Sequence, residues 1–297
     1  MQSPRQQSLY DALATRILVL DGAMGTRLME HKPTPADFGG PQFENCNENL
    51  CRMHPEWILQ VHREYLDAGA DILKTNSFQA SPIVLAEFGI EDQARELAAL
   101  AAKLARQAAA EYSTSAKPRW VAGSMGPTTK SLSLRADVTF QQLSDSYYVQ
   151  AQGLLEGGAD ILLFETFFDT RNLKAGLRAV QKIEREFGHR IPVMLSGTIE
   201  RWGAMLAGQT VDAFYASVAH ADVLAIGLNC ATGPDLMTDH IRTLAQMSST
   251  RVSCHPNAGL PNEEDKYLET PESMARQLEK FVAYGWLNLA GGCCGTT

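Results

Sequence analysis

Eight short runs rich in valine, isoleucine and leucine recur along the chain, each followed by small or polar residues and then by helix-forming sequence. They lie at residues 17–22 (ILVLDG), 70–78, 119–127, 159–166, 191–197, 221–230, 251–259 and 286–294. Runs that are apolar at consecutive rather than alternate positions suit strands covered on both faces. The intervening stretches read as helices. Residues 56–69 place Ile58, Val61, Tyr65 and Leu66 on one face and end on a glycine, and residues 91–112 are dominated by Ala, Leu, Glu and Lys. Eight strands alternating with helices predict an α/β fold, a (β/α)8 TIM barrel, for which 297 residues is a sufficient length. A doubly wound sheet is the alternative, but no GxGxxG fingerprint follows the first run. The eighth run ends at Cys294 and the sequence at Thr297, so the last helix of the barrel is not encoded here. The expectation is a single domain over 1–297 that is part of a longer multidomain protein. The other option is that residues 8–16 (SLYDALATR) partly cover the gap.

A net charge of −8 argues against a general binder of phosphate backbones. No apolar run approaches the ~20 residues of a membrane span, and the first sixteen residues lack the apolar segment of a secretion signal. With six cysteines and no targeting signal, the expected location is cytoplasmic, where clustered thiols more often bind metal than form disulfides.

Active sites of such barrels lie at the carboxyl ends of the strands. Asp21, Thr75, Asn76, Ser124, Glu165, Ser196, Asn229, Cys230, Asn257, Cys293 and Cys294 all fall there. Ser124, Ser196 and Thr198 read more simply as helix N-caps. Asp21 and Glu165 do not, because each directly follows a buried apolar run. The segment GGCCGTT (291–297) is the sharpest signal. Its glycines let the backbone bend so that both thiols face one ion, and Cys230 ends strand six at the same mouth. Three thiolates suit a tetrahedral zinc with Zn–S distances of roughly 2.3 Å and an open fourth position, the mark of a catalytic site. The competing reading is three small buried residues. Cys254 reads as core, Cys46 and Cys51 as structural or surface thiols, His62 and His220 as helix residues, and His255 as a packing residue.

DGAMGT (21–26), YLDAGADILKTNSF (65–78), FETFFDT (164–170), GLNC (227–230) and GGCCGTT together resemble the homocysteine S-methyltransferases, from about residue 17 to the end of the sequence. Within that family, SGTI (196–199) followed by LAGQT (206–210), NCATGPDLM (229–237) and NAGLPN (257–262) followed by ETPE (269–272) look most like the homocysteine-binding module of cobalamin-dependent methionine synthase. Gln79 stands where betaine-using relatives carry an aromatic, which counts against a betaine donor.

The resemblance implies zinc held by Cys230, Cys293 and Cys294, with Asn257 as a candidate fourth ligand that homocysteine would displace. It implies that Asp21 and Glu165 meet the substrate's amino group. Backbone N–H groups around Gly22 and Ala23, and from Thr75 through Asn76 to Ser77, would meet its carboxylate. Methylcobalamin would then arrive on another domain or subunit, because no DxHxxG signature occurs here; cobalamin-carrying and folate-binding domains or subunits are the expected partners. Three alternatives accompany this reading: a stand-alone enzyme using S-methylmethionine or another sulfonium, a zinc-binding thiol sensor without turnover, and a barrel enzyme acting on another thiol.

Overall fold

The computed structural model describes residues 3–263 and 266–297. The apolar runs form parallel strands β1 (Leu18–Val19), β2 (Ile72–Lys74), β3 (Trp120–Met125), β4 (Ile161–Phe167), β5 (Val193–Gly197), β6 (Ala225–Asn229), β7 (Arg251–His255) and β8 (Leu289–Ala290). Each pairs with the next in sequence, and β1 pairs with β8 through Leu18 opposite Leu289. A parallel bridge from Leu20 to Ile72 joins β1 to β2 and closes the circle. This is the (β/α)8 barrel expected from the periodicity.

Helices α1 (Pro4–Thr15), α2 (Met24–Met29), α3 (Leu50–Met53), α4 (Pro55–Asp67), α5 (Pro82–Leu85), α6 (Ala94–Tyr112), α7 (Phe140–Glu156), α8 (Thr170–Phe187), α9 (Val211–Val218), α10 (Pro234–Met247) and α11 (Pro271–Ala283) lie between or before the strands. Residues alternate along each strand between two cores. Leu73, Val121 and Leu162 face the helices, whereas Ile72, Trp120, Ala122 and Leu163 fill the barrel interior. Helices α6 and α7 approach closely because of glycine. A Cβ at Gly153 or Gly157 would lie 2.3 Å from a carbonyl oxygen of α6. Among the described residues no helix is long and apolar enough to cross a membrane. His220 lies in the turn after α9 rather than in a helix.

Residues 8–16 do not cover the flank of the first and last strands. Residues 8–15 belong to α1 and Arg16 caps it, and this helix stoppers the amino-terminal end of the barrel. Leu9 and Leu13 join the interior core with Leu18, Trp120, Met194 and Leu289. Arg5 pairs with Asp160 just before β4, and Arg16 makes bonds of 2.7 and 2.8 Å to Asp71 just before β2. The flank of β1 and β8 instead forms a groove lined by Val19, Tyr65, Met274, Leu278 and Ala290.

Replacing Leu9, which is wholly buried, by Ala should lower unfolding free energy by about 2–5 kcal/mol in urea titration. A loss under about 0.5 kcal/mol would show that α1 is not part of the cooperative core.

Candidate active site at the carboxyl end of the barrel

The inward alternation that places Ile72, Ala122, Leu163 and Met194 in the interior brings Lys74, Ser124, Glu165 and Ser196 to its uppermost layer two residues later. Above them opens a cavity of about 320 Å³. Its walls include Gly22, Ala23, Thr75, Asn76, Glu165, Cys230, Cys293 and Cys294 from the strand ends. Asn47 and Glu48, from the long first connection, and Phe78 and Gln79 also line it.

The thiols reach one point through two bent segments. Cys230 and Ala231 leave β6 with φ of 60° and 56°, in the left-handed region. The Cys230 N–H donates to the His255 carbonyl, and the Thr232 N–H turns back onto Cys230. After β8 the chain is strapped on both sides. Gly291 N–H donates to Cys254 O, Gly292 N–H to Asp21 O, Cys293 N–H to Pro256 O, and Cys294 N–H to Asn257 Oδ1. Gly295 then takes φ of 75°, and a Cβ there would strike the Tyr267 ring. As a result the Cys230, Cys293 and Cys294 sulfurs all lie within 4.8 Å of one another. The Cys230–Cys294 separation is 3.8 Å. Tetrahedral coordination with Zn–S of roughly 2.3 Å requires sulfurs about 3.8 Å apart, so the donor set fits zinc in number, softness and spacing. Hydrogen bonds from the Cys230 and Cys293 thiols pull the Cys294 pKa down, and the reciprocal contacts push Cys230 up.

Asn229 braces the floor. Its Oδ1 accepts from the Thr166 N–H at 2.8 Å and the Ser196 hydroxyl at 2.6 Å, and its Nδ2 donates to Thr166 Oγ1 at 2.7 Å. This bracket holds Thr166, a β-branched residue with φ of 64°, at a register shift in β4. Glu165 is thereby presented inward, buried and accepting from the Ser124 hydroxyl. Burial raises its pKa, against the pull of Lys74.

Ser124 and Ser196 are therefore not helix N-caps. Both lie inside strands and serve Glu165 and Asn229, while Thr198 follows β5 with its hydroxyl on the Phe167 carbonyl. The caps fall farther along, as at Thr139 and Asp169.

Asp21 lies behind the cavity and borders the outer groove. Its Oδ2 accepts from the Lys74 N–H at 2.8 Å, and its Oδ1 is 3.8 Å from Lys74 Nζ. The Ala23 N–H is engaged by Thr296 Oγ1, and the Thr75 and Ser77 N–H groups by Ala122 O and Thr75 O. Ser77 is buried beneath the cavity. The Asn257 amide oxygen stands beside the thiols but clamps the Cys294 N–H. Cys254, Cys46 and Cys51 are buried free thiols, and His62 and His255 are wholly buried with no hydrogen-bond partner for either ring nitrogen among the described residues.

Two charged cavity residues escape sequence reading. Glu48, buried, accepts from the Gln79 N–H, and Lys74, buried, donates to the Gly292 carbonyl. The available signal for Lys74 was a lysine interrupting an apolar run.

Burial pushes the Asp21 pKa from 3.8 up to about 7. A carboxyl with a higher pKa folded than unfolded holds its proton more tightly in the folded chain. Its contribution to stability therefore declines as pH rises from about 4 to about 7 and levels off above that. Urea titrations of the metal-free chain across this window should show that Asp21→Asn, which keeps an acceptor for Lys74, removes a decline of up to about 1.4 kcal/mol per pH unit. An unchanged slope would contradict the assignment.

The sequence matches the family model described as homocysteine S-methyltransferase over residues 18–297. Among solved structures it is similar to the homocysteine methyltransferase MmuM from Escherichia coli. The metallated form is 27% identical, with a TM-score of 0.78, covering 98% of this chain and 95% of that one. The oxidized form is 25% identical, with a TM-score of 0.76, covering 100% and 96%. The carboxyl transferase domain of Rhizobium etli pyruvate carboxylase shares the fold alone, at 10% identity and a TM-score of 0.51, covering 98% of this chain and 44% of that one. With the family model spanning nearly all of its length, the chain belongs to the homocysteine S-methyltransferase family.

Proposed function

We propose that this chain holds zinc through Cys230, Cys293 and Cys294 and transfers a methyl group from a small sulfonium donor, such as S-methylmethionine, to the sulfur of homocysteine, giving methionine. The observation that carries the reading is the convergence of three thiol sulfurs at the floor of a cavity also lined by the buried carboxylate of Glu165.

A free thiol titrates near ~8.5 and is mostly protonated at neutral pH. Bound at these cysteines, zinc would keep the substrate's sulfur deprotonated and electron-rich. The chain's own residues supply position. Glu165 accepts the substrate ammonium at the cavity floor, and the Asn229 bracket keeps that carboxylate from swinging away. The homocysteine sulfur then attacks the donor's methyl carbon. The carbon–sulfur bond of the sulfonium breaks, its electron pair stays with the departing neutral thioether, and the thiol proton has already gone to solvent. Holding both reactants over one floor makes the encounter effectively unimolecular.

Size and charge support a sulfonium donor. A cavity of about 320 Å³ is near the lower limit of ligand pockets and suits amino-acid-sized molecules. Glu48 and Glu165 line it against the single cation of Lys74, an acidic balance that favours a cationic ligand. The alignment spans 95% of the Escherichia coli homocysteine methyltransferase chain, a protein of about this size. A second reading has methylcobalamin delivered by a cobalamin-carrying partner, alongside a folate-binding one. It draws on the segments at 196–199, 206–210, 229–237 and 257–262, which look like the methionine synthase module.

Reduced protein should carry one zinc per chain, lost in Cys230→Ala, Cys293→Ala or Cys294→Ala and kept in Cys254→Ala. Titrating homocysteine into the zinc-loaded chain in weak buffer should release about one proton per molecule bound. Absence of zinc overturns the reading, and zinc without proton release points to a structural or sensing site. Methionine formation should run at least about tenfold faster with S-methylmethionine than with methylcobalamin; the reverse order assigns the corrinoid donor.

A further inference from the structure

The turn that carries Cys293 and Cys294 is closed twice onto one carbonyl. The Thr296 N–H donates to the Cys293 carbonyl at 3.2 Å, and the Thr296 hydroxyl donates to the same oxygen at 2.7 Å. Gly295 stands third in this four-residue turn with φ of 75°, a place where tight turns call for glycine. The hydroxyl oxygen also accepts from the Ala23 N–H at 3.1 Å, in the turn after β1. That turn answers in kind, because Thr26 Oγ1 accepts from the Gly295 N–H at 3.2 Å. A threonine of each segment thus bonds the backbone of the other. From α4, the Tyr65 hydroxyl lies 3.0 Å from the Thr296 carbonyl and 3.2 Å from that of Ala23. Two glycines leave room for the Thr296 side chain, since a Cβ at Gly22 or Gly292 would strike it.

Successive side chains on extended backbone point apart, so adjacent cysteines reach one ion only while the turn keeps its shape. The peptide plane that joins them is pinned at both poles. Its N–H, from Cys294, donates to Asn257 Oδ1 at 3.1 Å, and its carbonyl, from Cys293, accepts from the Thr296 hydroxyl. Rotation of that plane would swing the two thiols away from each other and from Cys230. We propose that Thr296 is a positioning residue for the metal. Its hydroxyl fixes the plane between Cys293 and Cys294, and with it the direction of both thiols, and ties them to the cavity wall at Ala23. The proposal rests on zinc at the three thiols and adds the group that orients two of them.

The test reads zinc affinity, by competition with a chromogenic chelator on the reduced chain, and the sulfur-to-metal absorption band after loading with cobalt(II). Thr296→Val keeps the side chain's shape and removes the hydroxyl. It should weaken zinc by about ten- to a hundredfold, the scale on which groups that orient metal ligands act, and alter the cobalt band. Thr296→Ser restores the hydroxyl and should stay within about threefold of the unsubstituted chain with its band unchanged. Should Thr296→Val fail to fold, Thr26→Val opens the same brace from the first turn; a loss of zinc affinity is expected there too, with Thr26→Ser retaining it. Equal weakening in the valine and serine variants would overturn the proposal in favour of side-chain packing, as would unchanged affinity in both. If the unsubstituted chain takes up no zinc, the three-thiol reading falls and this proposal with it, a result distinct from tight zinc in every variant, which sinks the proposal alone.

Discussion

The backbone hydrogen bonds that strap the turn after β8 to its neighbours are what the rest of the site depends on. Gly291 and Cys293 donate to the β7 side, at Cys254 and Pro256, and Gly292 donates to Asp21 beyond β1. Those bonds exist only because the barrel closes between its first and last strands. Without closure, Cys293 and Cys294 would hang from a free glycine-rich tail, and Cys230, 63 residues earlier in sequence than Cys293, would have no partner. A three-thiol cluster assembled from two distant strand ends is thus a product of global topology, not of a local motif. The left-handed Cys230, Ala231 and Thr166 are the local expense of presenting those groups inward, and they persist because Asn229 and the β7 backbone over-determine them.

Charge is arranged with the same economy. Two buried carboxylates, Asp21 and Glu165, flank the buried Lys74 ammonium; Glu165 and Lys74 line the cavity with Glu48, and Asp21 does not. Asp21 therefore acts through Lys74. It fixes the strand by accepting the Lys74 N–H and biases the side chain from behind. Three thiolates around a bound dication would leave the centre net negative. A neutral or cationic reactant approaches such a site more readily than an anion, unless a local cation receives the anionic end.

Much of this was legible in the sequence. Eight consecutive-apolar runs gave the barrel, because strands covered on both faces cannot show alternation, and the pairing of GLNC with GGCC pointed to the thiol cluster. Other features were not legible, for physical reasons. The destination of residues 4–15 depends on an open barrel end that exists only once the sheet has closed. Ser124 and Ser196 look like caps because they precede loops, and only strand register shows them facing the interior. The resemblance implies a substrate contact for Asp21, whose carboxylate here accepts from the Lys74 N–H. Asp21 borders the groove beside β1, a strand just two residues long, and does not line the cavity.

The six cysteines show how far environment, rather than residue type, decides chemistry. Cys46 and Cys51 bracket the connection that carries Asn47 and Glu48 to the cavity wall. Both are buried, and Cys51 packs against Asn76, whose amide donates to the Asn47 carbonyl at 2.8 Å. Burial pushes their pKa values up to about 11 and about 12. They remain protonated, apolar and inert, and serve as anchors for the loop that narrows the cavity. Cys254 is likewise buried, its thiol against the sulfur of Met237. At the mouth, the mutual contacts of three thiols pull Cys294 the other way. The difference is not exposure alone, since Cys293 is itself only partly exposed. It is that each mouth thiol has another sulfur as its neighbour, so charge lost by one proton is shared by the set, which is the condition a divalent cation completes.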